Sequence, residues 1–527
     1  MKTVFLKAKE HWLIIFVSIF AGLVMVLPQL VFMLNLKSEY KGIYMMQSDA
    51  EPHYLAKMQE TYDGNKIGNA YYFDEKNIWP VIYYTLSERI LALPGMIFGL
   101  SVPNINLIYK FFLPIICSLL IYLLAIRLCK DKTWSLITTC LIMFGSPLTS
   151  LVDLKHILLF EKVYTQFSLF SRPINPQFSF IFLLLYIFLL FMYVKNNKKY
   201  LILLLGILFG LSAYLYIYTF LFLLTLNLVV LIYFLFIKEK RYISIAILLT
   251  LLIGICLGLR EILEIYMLNS TPLFKQISDL QISGSTGPIL GLFQFLTYMS
   301  FVLFLVVDKN GRKSHNTNVI SCLLITTFIV LNQQLITHMT VQYGHFHWYF
   351  NTPIYFIVIV FVVINISRHF SNIFFDSLIK KIFIAISIIA IYSTVFVQYS
   401  SYNNNYNEVK NMQSLKSIFD WLNNNNERTC VVLADNTISE LIPVYTHCDV
   451  LEANYGRSYI LSSERRRYGY NDVMKDISLY GKTKYRVDFI VCDKCNFGQY
   501  MKDGDFVQVF SNGKEKIFKI NDNINRH

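Results

Sequence analysis

The sequence predicts a polytopic α-helical membrane protein that ends in a small α/β domain, and three observations carry that prediction. Of the 527 residues, 55% are hydrophobic and only 15% charged, with a mean hydropathy of +0.47, beyond the balance of a water-soluble globular chain. The apolar residues arrive in blocks of about twenty, the length that crosses a hydrocarbon core of roughly 30 Å. Beyond position 401 the blocks give way to short β-branched runs separated by polar turns, the pattern of a mixed α/β domain.

Reading apolar runs alone gives about eleven spans: 12–34, 106–126, 133–148, 177–194, 200–217, 219–237, 242–259, 288–307, 318–336, 353–367 and 382–398. The first follows Lys2, Lys7 and Lys9. It is longer than the apolar core of a signal peptide and no small-residue cleavage site follows it, so it is expected to stay as a helix. If each block crosses once, the basic groups Arg127/Lys130/Lys132, Lys195/Lys198/Lys199, Lys238/Lys240/Arg241, Lys309/Arg312/Lys313 and Arg368/Lys380/Lys381 share the side of the N-terminus. Positive charge is retained on the cytoplasmic side. The expected topology therefore has a cytoplasmic N-terminus and an extracytoplasmic C-terminal domain, in the plasma (inner) membrane. The net charge of +13 is mostly this topological charge. It points to anionic lipid headgroups and not to nucleic acid.

The expected division is a transmembrane domain over 1–400 and a soluble domain over 401–527. The long segments, 35–105, 149–176, 260–287, 332–352 and the tail, all fall outside. Long loops in compact proteins are commonly functional, so chemistry is expected on the outer face. Within the first, IWPVIYYTLSERILALPGMIFGL reads as amphipathic helix lying at the interface, anchored by Trp79 and the tyrosines. In the tail, YNNNYNEVKN reads as a linker, RTCVVLAD and YRVDFIVCD as strands, and TISELIPVYT and YNDVMKDISLYG as helices. FVQVFSNGKEKIFKI reads as a hairpin with an Asn-Gly turn.

The first outer loop opens QSDAEPHYLAKMQETYDGNKIGN. Asp49 and Glu51 stand two apart, followed by His53 and Tyr54. A carboxylate at the outer surface can deprotonate an acceptor hydroxyl as it attacks an anomeric carbon, while a lipid phosphate leaves without needing an acid. The spacing alone fits a solvated acidic loop better, since ionisable pairs in exposed loops are mostly that. Asp63, Asp74 and Glu75 are further carboxylates for an acceptor or a metal.

SDAEPHYLAKMQE followed by DGNKIGN resembles the first-loop pattern of bacterial members of the GT-C glycosyltransferase superfamily, approximately DExHYLARIQE and DGxxxxGN. That superfamily includes oligosaccharyltransferases, protein mannosyltransferases and aminoarabinose transferases. The layout of the whole chain is similar, and two later segments match in residue detail. The resemblance implies a GT-C-like fold, a polyprenyl-phosphate-linked sugar donor, and a glycan, lipid or protein acceptor. It implies that a first-loop acid, Asp49 or Glu51, is the catalytic base, although the pair here is Asp-x-Glu and not two adjacent acids. Oligosaccharyltransferase relatives hold a divalent cation, Mg or Mn, on carboxylates of the first two outer loops. That role would fall on Asp49, Glu51 and Asp153; many other relatives need no metal.

In FSLFSRPINPQFSF, Pro173 and Pro176 keep Arg172 at a helix entrance. A planar guanidinium suits a lipid phosphate, though a snorkelling arginine is the plainer alternative. The segment is similar to the family's R-x-x-NPQ motif. Lys155 and His156 are candidates for the same phosphate. Arg260 and Glu261 cap the seventh span, either as an interfacial ion pair or with Arg260 on a phosphate. NQQLITHMTVQYGHFHWYFN supplies Gln333, His338, His345 and His347. Its composition fits an aromatic belt, and the resemblance implies a segment lining the donor cavity, with His53 and Tyr54 lining it from the first loop. His345 and His347 face apart on a helix and together on a strand.

Cys117, Cys129, Cys140, Cys256 and Cys322 fall in or beside spans as packing residues. In the tail, Cys430, Cys448, Cys492 and Cys495 are placed for disulfides if the domain is extracytoplasmic, or for zinc through the Cys492-x-x-Cys495 spacing. Arg465 to Arg467 form a charge run that reads as a solvated face. A transporter or flippase is the competing function. It would carry ionisable groups within its spans and paired broken helices, whereas here ionisable residues gather in the outer segments.

Overall fold

The computed structural model describes the chain apart from residues 1–9, 47–49, 66–68, 77–84, 160, 162, 238–239, 270–281, 284–286, 338–339, 370–372, 426–429, 454–484, 493–505 and 521–527. Asp49, Trp79, His338, Arg465 to Arg467 and Cys495 lie outside the described residues, as does the helix expected over YNDVMKDISLYG.

Helix is the dominant element because a backbone in lipid must satisfy its own hydrogen bonds. In chain order the main helices are α1 (Trp12–Leu36), α2 (Glu51–Tyr62), α3 (Leu86–Phe98), α4 (Val102–Cys129), α5 (Lys132–Phe144), α6 (Leu151–Leu159), α7 (Ser179–Asn196), α8 (Tyr200–Leu215) and α9 (Ile217–Leu235). They continue as α10 (Arg241–Asn269), α11 (Leu292–Val307), α12 (His315–Asn332), α13 (Thr352–His369), α14 (Ile373–Asn411), α15 (Leu415–Asn425) and α16 (Asn436–Tyr445). Among the described residues, eight helical stretches are long and apolar enough to cross a membrane, and α5, α8 and α11 are shorter apolar helices. Each of the eleven expected segments therefore coincides with a helix, eight of them at spanning length. The chain is a multi-pass membrane protein.

The chain divides into two compact units. The first comprises Met1–Val26, Tyr109–Leu263 and Ile277–Ser401; the second comprises Leu27–Ile108, Glu264–Gln276 and Tyr402–His527. In the first unit small residues set the closest helix approach. A Cβ on Gly206 of α8 would lie 2.7 Å from Ile253, and one on Gly210 would lie 2.7 Å from Leu257 Cβ and 2.9 Å from the Gly254 carbonyl. Gly206/Gly210 and Gly254/Gly258 thus form facing small-xxx-small stripes, which let two backbones touch where no hydrophobic force joins helices. Asp131 caps α5 by accepting the Trp134 N–H at 3.0 Å, and Ser314 caps α12 through the Thr317 N–H at 3.1 Å.

In the second unit a five-stranded sheet has the order β4-β3-β5-β7-β6, where β1 (Ile282–Ser283) and β2 (Thr340–Val341) form a separate pair elsewhere. Strands β3 (Val431–Leu433), β4 (Asp449–Val450) and β5 (Phe489–Cys492) are parallel, and β6 (Phe506–Ser511) and β7 (Lys516–Ile520) form the expected antiparallel hairpin. Its turn holds Gly513 at φ +91°, a conformation natural to glycine. Residues of β3 and β5 are buried throughout, the signature of central parallel strands. Asp435 caps α16, which buries Ile438, Leu441 and Ile442.

Two expectations fail. The polar stretch 402–411 is not a linker but the last turns of α14: Tyr402 bonds Asn35 at 2.7 Å, Tyr406 packs edge-on to Phe32, and Lys410 pairs with Glu39 at 3.0 Å. Its asparagines misled because they occupy the wet face of a helix that continues. Arg260 and Glu261 do not end the seventh span, since α10 runs on to Asn269; a charged pair in a helix with no breaker leaves its hydrogen-bond ladder intact.

Candidate active site

In the second unit the first loop is built around Glu51. Ala50 takes a left-handed conformation at φ 62°, and Glu51 and Pro52 open α2. The Glu51 side chain is 1% exposed, and its Oε1 accepts the Asn106 Nδ2–H at 2.8 Å from α4. The carboxylate is therefore oriented from outside its own loop. His53 lies parallel to Tyr71 with ring centroids 5.8 Å apart, and Lys57 sits 5.9 Å above the Tyr54 ring. Lys57 also faces Glu88 of α3 at 3.8 Å; burial pushes the Glu88 carboxyl up, and the ammonium counters it. Helix α3 leaves Leu93, Ile97 and Phe98 exposed while Ser87, Glu88, Leu91 and Gly95 are buried, matching the expected amphipathic helix.

Several other first-loop acids are engaged. Glu75 is buried and accepts from Asn69 Nδ2 at 3.1 Å, whereas Asp74 is exposed. Asp63 accepts from Gln59 at 3.0 Å and pairs with His447. Lys76 bridges Glu60 at 3.1 Å and Asp449 of β4 at 2.9 Å. Two buried carboxylates share one ammonium, so burial pushes both up, Asp449 to about 7. Lys76 is itself raised: burial lowers it, but Asp449 and Glu60 outweigh that.

In the first unit Arg172 is 5% exposed. Its Nε–H donates to the Asn175 carbonyl and its NH2 group to the Tyr349 hydroxyl, with the guanidinium 5.7 Å from the Tyr349 ring. It is thus an inward-facing buried cation and not a snorkelling one. Tyr349 lies on a π-helical turn, His347–Asn351, and Asn175 is an extended residue (φ −129°, ψ 121°) that kinks the stretch Pro173–Phe178; π-helical turns recur at functional sites. His345 and His347 are on helical turns and face apart, as that geometry requires. His345 stacks on Tyr218 at 4.3 Å, bonds the Tyr216 hydroxyl and meets Tyr349 edge-on at 5.3 Å. His347 accepts at Nδ1 from Gln294 Nε2 at 2.9 Å, which leaves its other nitrogen to carry the proton. Arg172 and His345 therefore belong to one buried polar cluster through Tyr349, and His347 belongs to another.

Lys155 is exposed on α6, and His156 contacts Glu161 at 3.2 Å. Asp153 is half-buried on α6 and Arg260 is exposed on α10. Gln333 ends α12 and accepts from Thr337 at 2.6 Å. Among the described residues, no group of three or more His, Cys, Asp or Glu side chains is arranged to hold a metal ion. In the tail Cys430 and Cys448 form a disulfide between β3 and β4, and Cys492 is also disulfide-bonded. Cys117, Cys129, Cys140 and Cys322 are buried; Cys256 is exposed.

No family model and no curated protein matches the sequence. Solved structures do. The chain is similar to ArnT from Cupriavidus metallidurans bound to undecaprenyl phosphate, with TM-score 0.53 and 9% identity over 97% of this chain and 98% of that one. The apo ArnT structure gives TM-score 0.51 and 10% identity over 98% and 99%. The Archaeoglobus fulgidus oligosaccharyltransferase, tethered to an acceptor peptide containing the NVT sequon, gives 0.52 and 13% over 92% and 69%. At these identities the likeness establishes architecture alone, and it extends over nearly the whole chain: this protein shares the overall fold of the ArnT and oligosaccharyltransferase structures.

Proposed function

We propose that the protein transfers a sugar from a polyprenyl-phosphate-linked donor to an acceptor hydroxyl or amide on a glycan, lipid or protein at the extracytoplasmic face of the plasma membrane. The observation that carries this reading is the end-to-end likeness to a structure whose ligand is undecaprenyl phosphate, joined to the acidic motif at the opening of the first loop. Basic residues on the N-terminal side of the spans support a cytoplasmic N-terminus. The Cys430–Cys448 bond supports an oxidising compartment for the tail.

In this reaction the acceptor nucleophile attacks the anomeric carbon and gives its proton to a first-loop carboxylate. The bond from that carbon to the phosphate oxygen breaks, and polyprenyl phosphate leaves with the electron pair. Asp49 is the base in this reading. Glu51, with one oxygen already held by Asn106, orders the turn and is the alternative base. In the first unit Arg172, fixed by Tyr349 and Asn175, holds the donor phosphate, with His345, His347 and Gln333 as further donor contacts; in the second, His53 and Tyr54 follow Glu51 on α2 as substrate contacts. Lys155, His156 and Arg260 are peripheral contacts to the headgroup. Asp49, one of the three candidate ligands of a divalent cation, lies outside the described residues; activity in chelator against added Mg or Mn tests whether a cation takes part.

The experiment is purified protein in liposomes with a panel of radiolabelled polyprenyl-phosphate sugars and membrane extracts as acceptors. A covalent labelled product with release of polyprenyl phosphate is expected. Transbilayer movement of the lipid with no product would replace transfer by the flippase reading.

A further inference from the structure

The segment that leads into the acidic motif has an unusual set of partners, all within the second unit. The Gln413 carboxamide accepts the Lys41 N–H at 2.9 Å and the Ile43 N–H at 3.3 Å, and it returns a hydrogen bond to the Ile43 carbonyl at 2.9 Å. It pairs with this backbone as a neighbouring strand would. Next, the Tyr44 N–H donates to the Tyr445 hydroxyl at 2.9 Å, and the Met45 N–H donates to Gln29 at 2.6 Å. Gly42 makes the intervening turn at φ +103°, and Ile43 and Met45 are buried. Two of the three gripping side chains come from beyond the last expected span.

These grips are themselves braced. Gln413 also donates to the Val409 carbonyl at 3.0 Å. Its neighbour Ser414 donates to Glu515 at 2.7 Å, and Asn512 reaches the Ser414 carbonyl at 3.0 Å and Glu515 at 2.7 Å. The tip of the β6–β7 hairpin therefore fixes the turn that carries Gln413. Tyr445 ends α16, stacks on Phe419 with centroids 5.3 Å apart, and has its hydroxyl pushed up by burial, with Tyr44 and Glu51 both close enough to act on it.

We propose that Gln413 and Tyr445 are positioning residues for the transfer reaction, and that through them the C-terminal domain sets the geometry of the first-loop carboxylate. This rests on the reading of that loop as the catalytic one. Side-chain grips on backbone N–H groups fix a segment in place without a regular element, and misplacing a reacting group by an ångström costs up to about a hundred-fold in rate. The domain is then part of the catalytic apparatus and not an appended binding module.

The test uses the full-length protein in liposomes with labelled polyprenyl-phosphate sugar. Tyr445→Phe keeps the stack on Phe419 and removes only the acceptor for Tyr44. Gln413→Glu keeps the acceptor and removes the donor, and Gln413→Ala removes both. The expected result is a kcat lowered by about ten-fold or more in Gln413→Ala, partly recovered in Gln413→Glu, and lowered in Tyr445→Phe, with donor KM and thermal unfolding close to wild type. Wild-type kcat in Tyr445→Phe and Gln413→Glu overturns the proposal. So does a fall in kcat matched by an equal loss of folded protein, which marks a structural role alone. If the unaltered protein makes no product, it is the glycosyltransferase reading that fails, which keeps the two outcomes separate.

Discussion

The two units hold their functional candidates by different physics. In the first, Arg172 is kept among Tyr349, His345, Tyr216 and Tyr218 inside an apolar bundle, where polar groups are few and helix contact comes from glycine stripes. In the second, the segment from Lys41 to Met45 is held by amide and hydroxyl grips, and Lys76 joins Asp449 in a buried ion pair. A bundle in lipid gains little from apolar contact between helices, so shape decides its packing. A domain in water can use many modest polar bonds. The first unit should therefore fail on changes of shape and the second on changes of charge.

The largest effect should come from shape. Gly254→Leu places a side chain into Phe209 at a close helix contact of the first unit, so a loss of about 3 kcal/mol is expected, read as lower thermal stability in detergent. A full-strength variant would break the contrast. Tyr349→Phe is smaller. It removes the hydroxyl that receives the Arg172 guanidinium, with an expected cost of about 1 kcal/mol and weaker binding of polyprenyl phosphate. Unchanged binding would detach Arg172 from the donor site.

The smallest effect is a pH dependence confined to the second unit. Asp449 has a folded-state pKa of about 7, above the unfolded carboxylate value of about 4. Its contribution to stability is therefore fully present below about pH 4 and is lost as pH rises through about 7. Wild type should lose thermal stability across that window, and Asp449→Asn should flatten the slope. An unchanged slope would mean that the Lys76 pair keeps both partners charged throughout.

The sequence made the helices legible because span length and charge bias are strong local signals, and the hairpin was legible through its Asn-Gly turn. Strand β4 was not, because Asp449 and Val450 are two residues whose pairing with Val431 and Val432 is a long-range event. The site was half legible. Arg172 and His345 stood out by type, yet Tyr349, Tyr216 and Tyr218 vanish among 36 tyrosines. Asn106, Gln413 and Tyr445 act across 55, 370 and 401 positions, and nothing in their neighbourhoods marks them. The one local hint was the pair of polar residues Asn104 and Asn106 at the start of an apolar run.

In the proposed reaction a first-loop carboxylate drives sugar transfer from a lipid phosphate. Its most direct test is the rate of labelled sugar transfer by Asp49→Asn, Glu51→Gln and the double variant in liposomes, with polyprenyl-phosphate binding measured alongside. Asp49→Asn and the double variant are expected to lose transfer by at least about a hundred-fold while still binding the lipid. Transfer at the wild-type rate in all three would contradict the proposal.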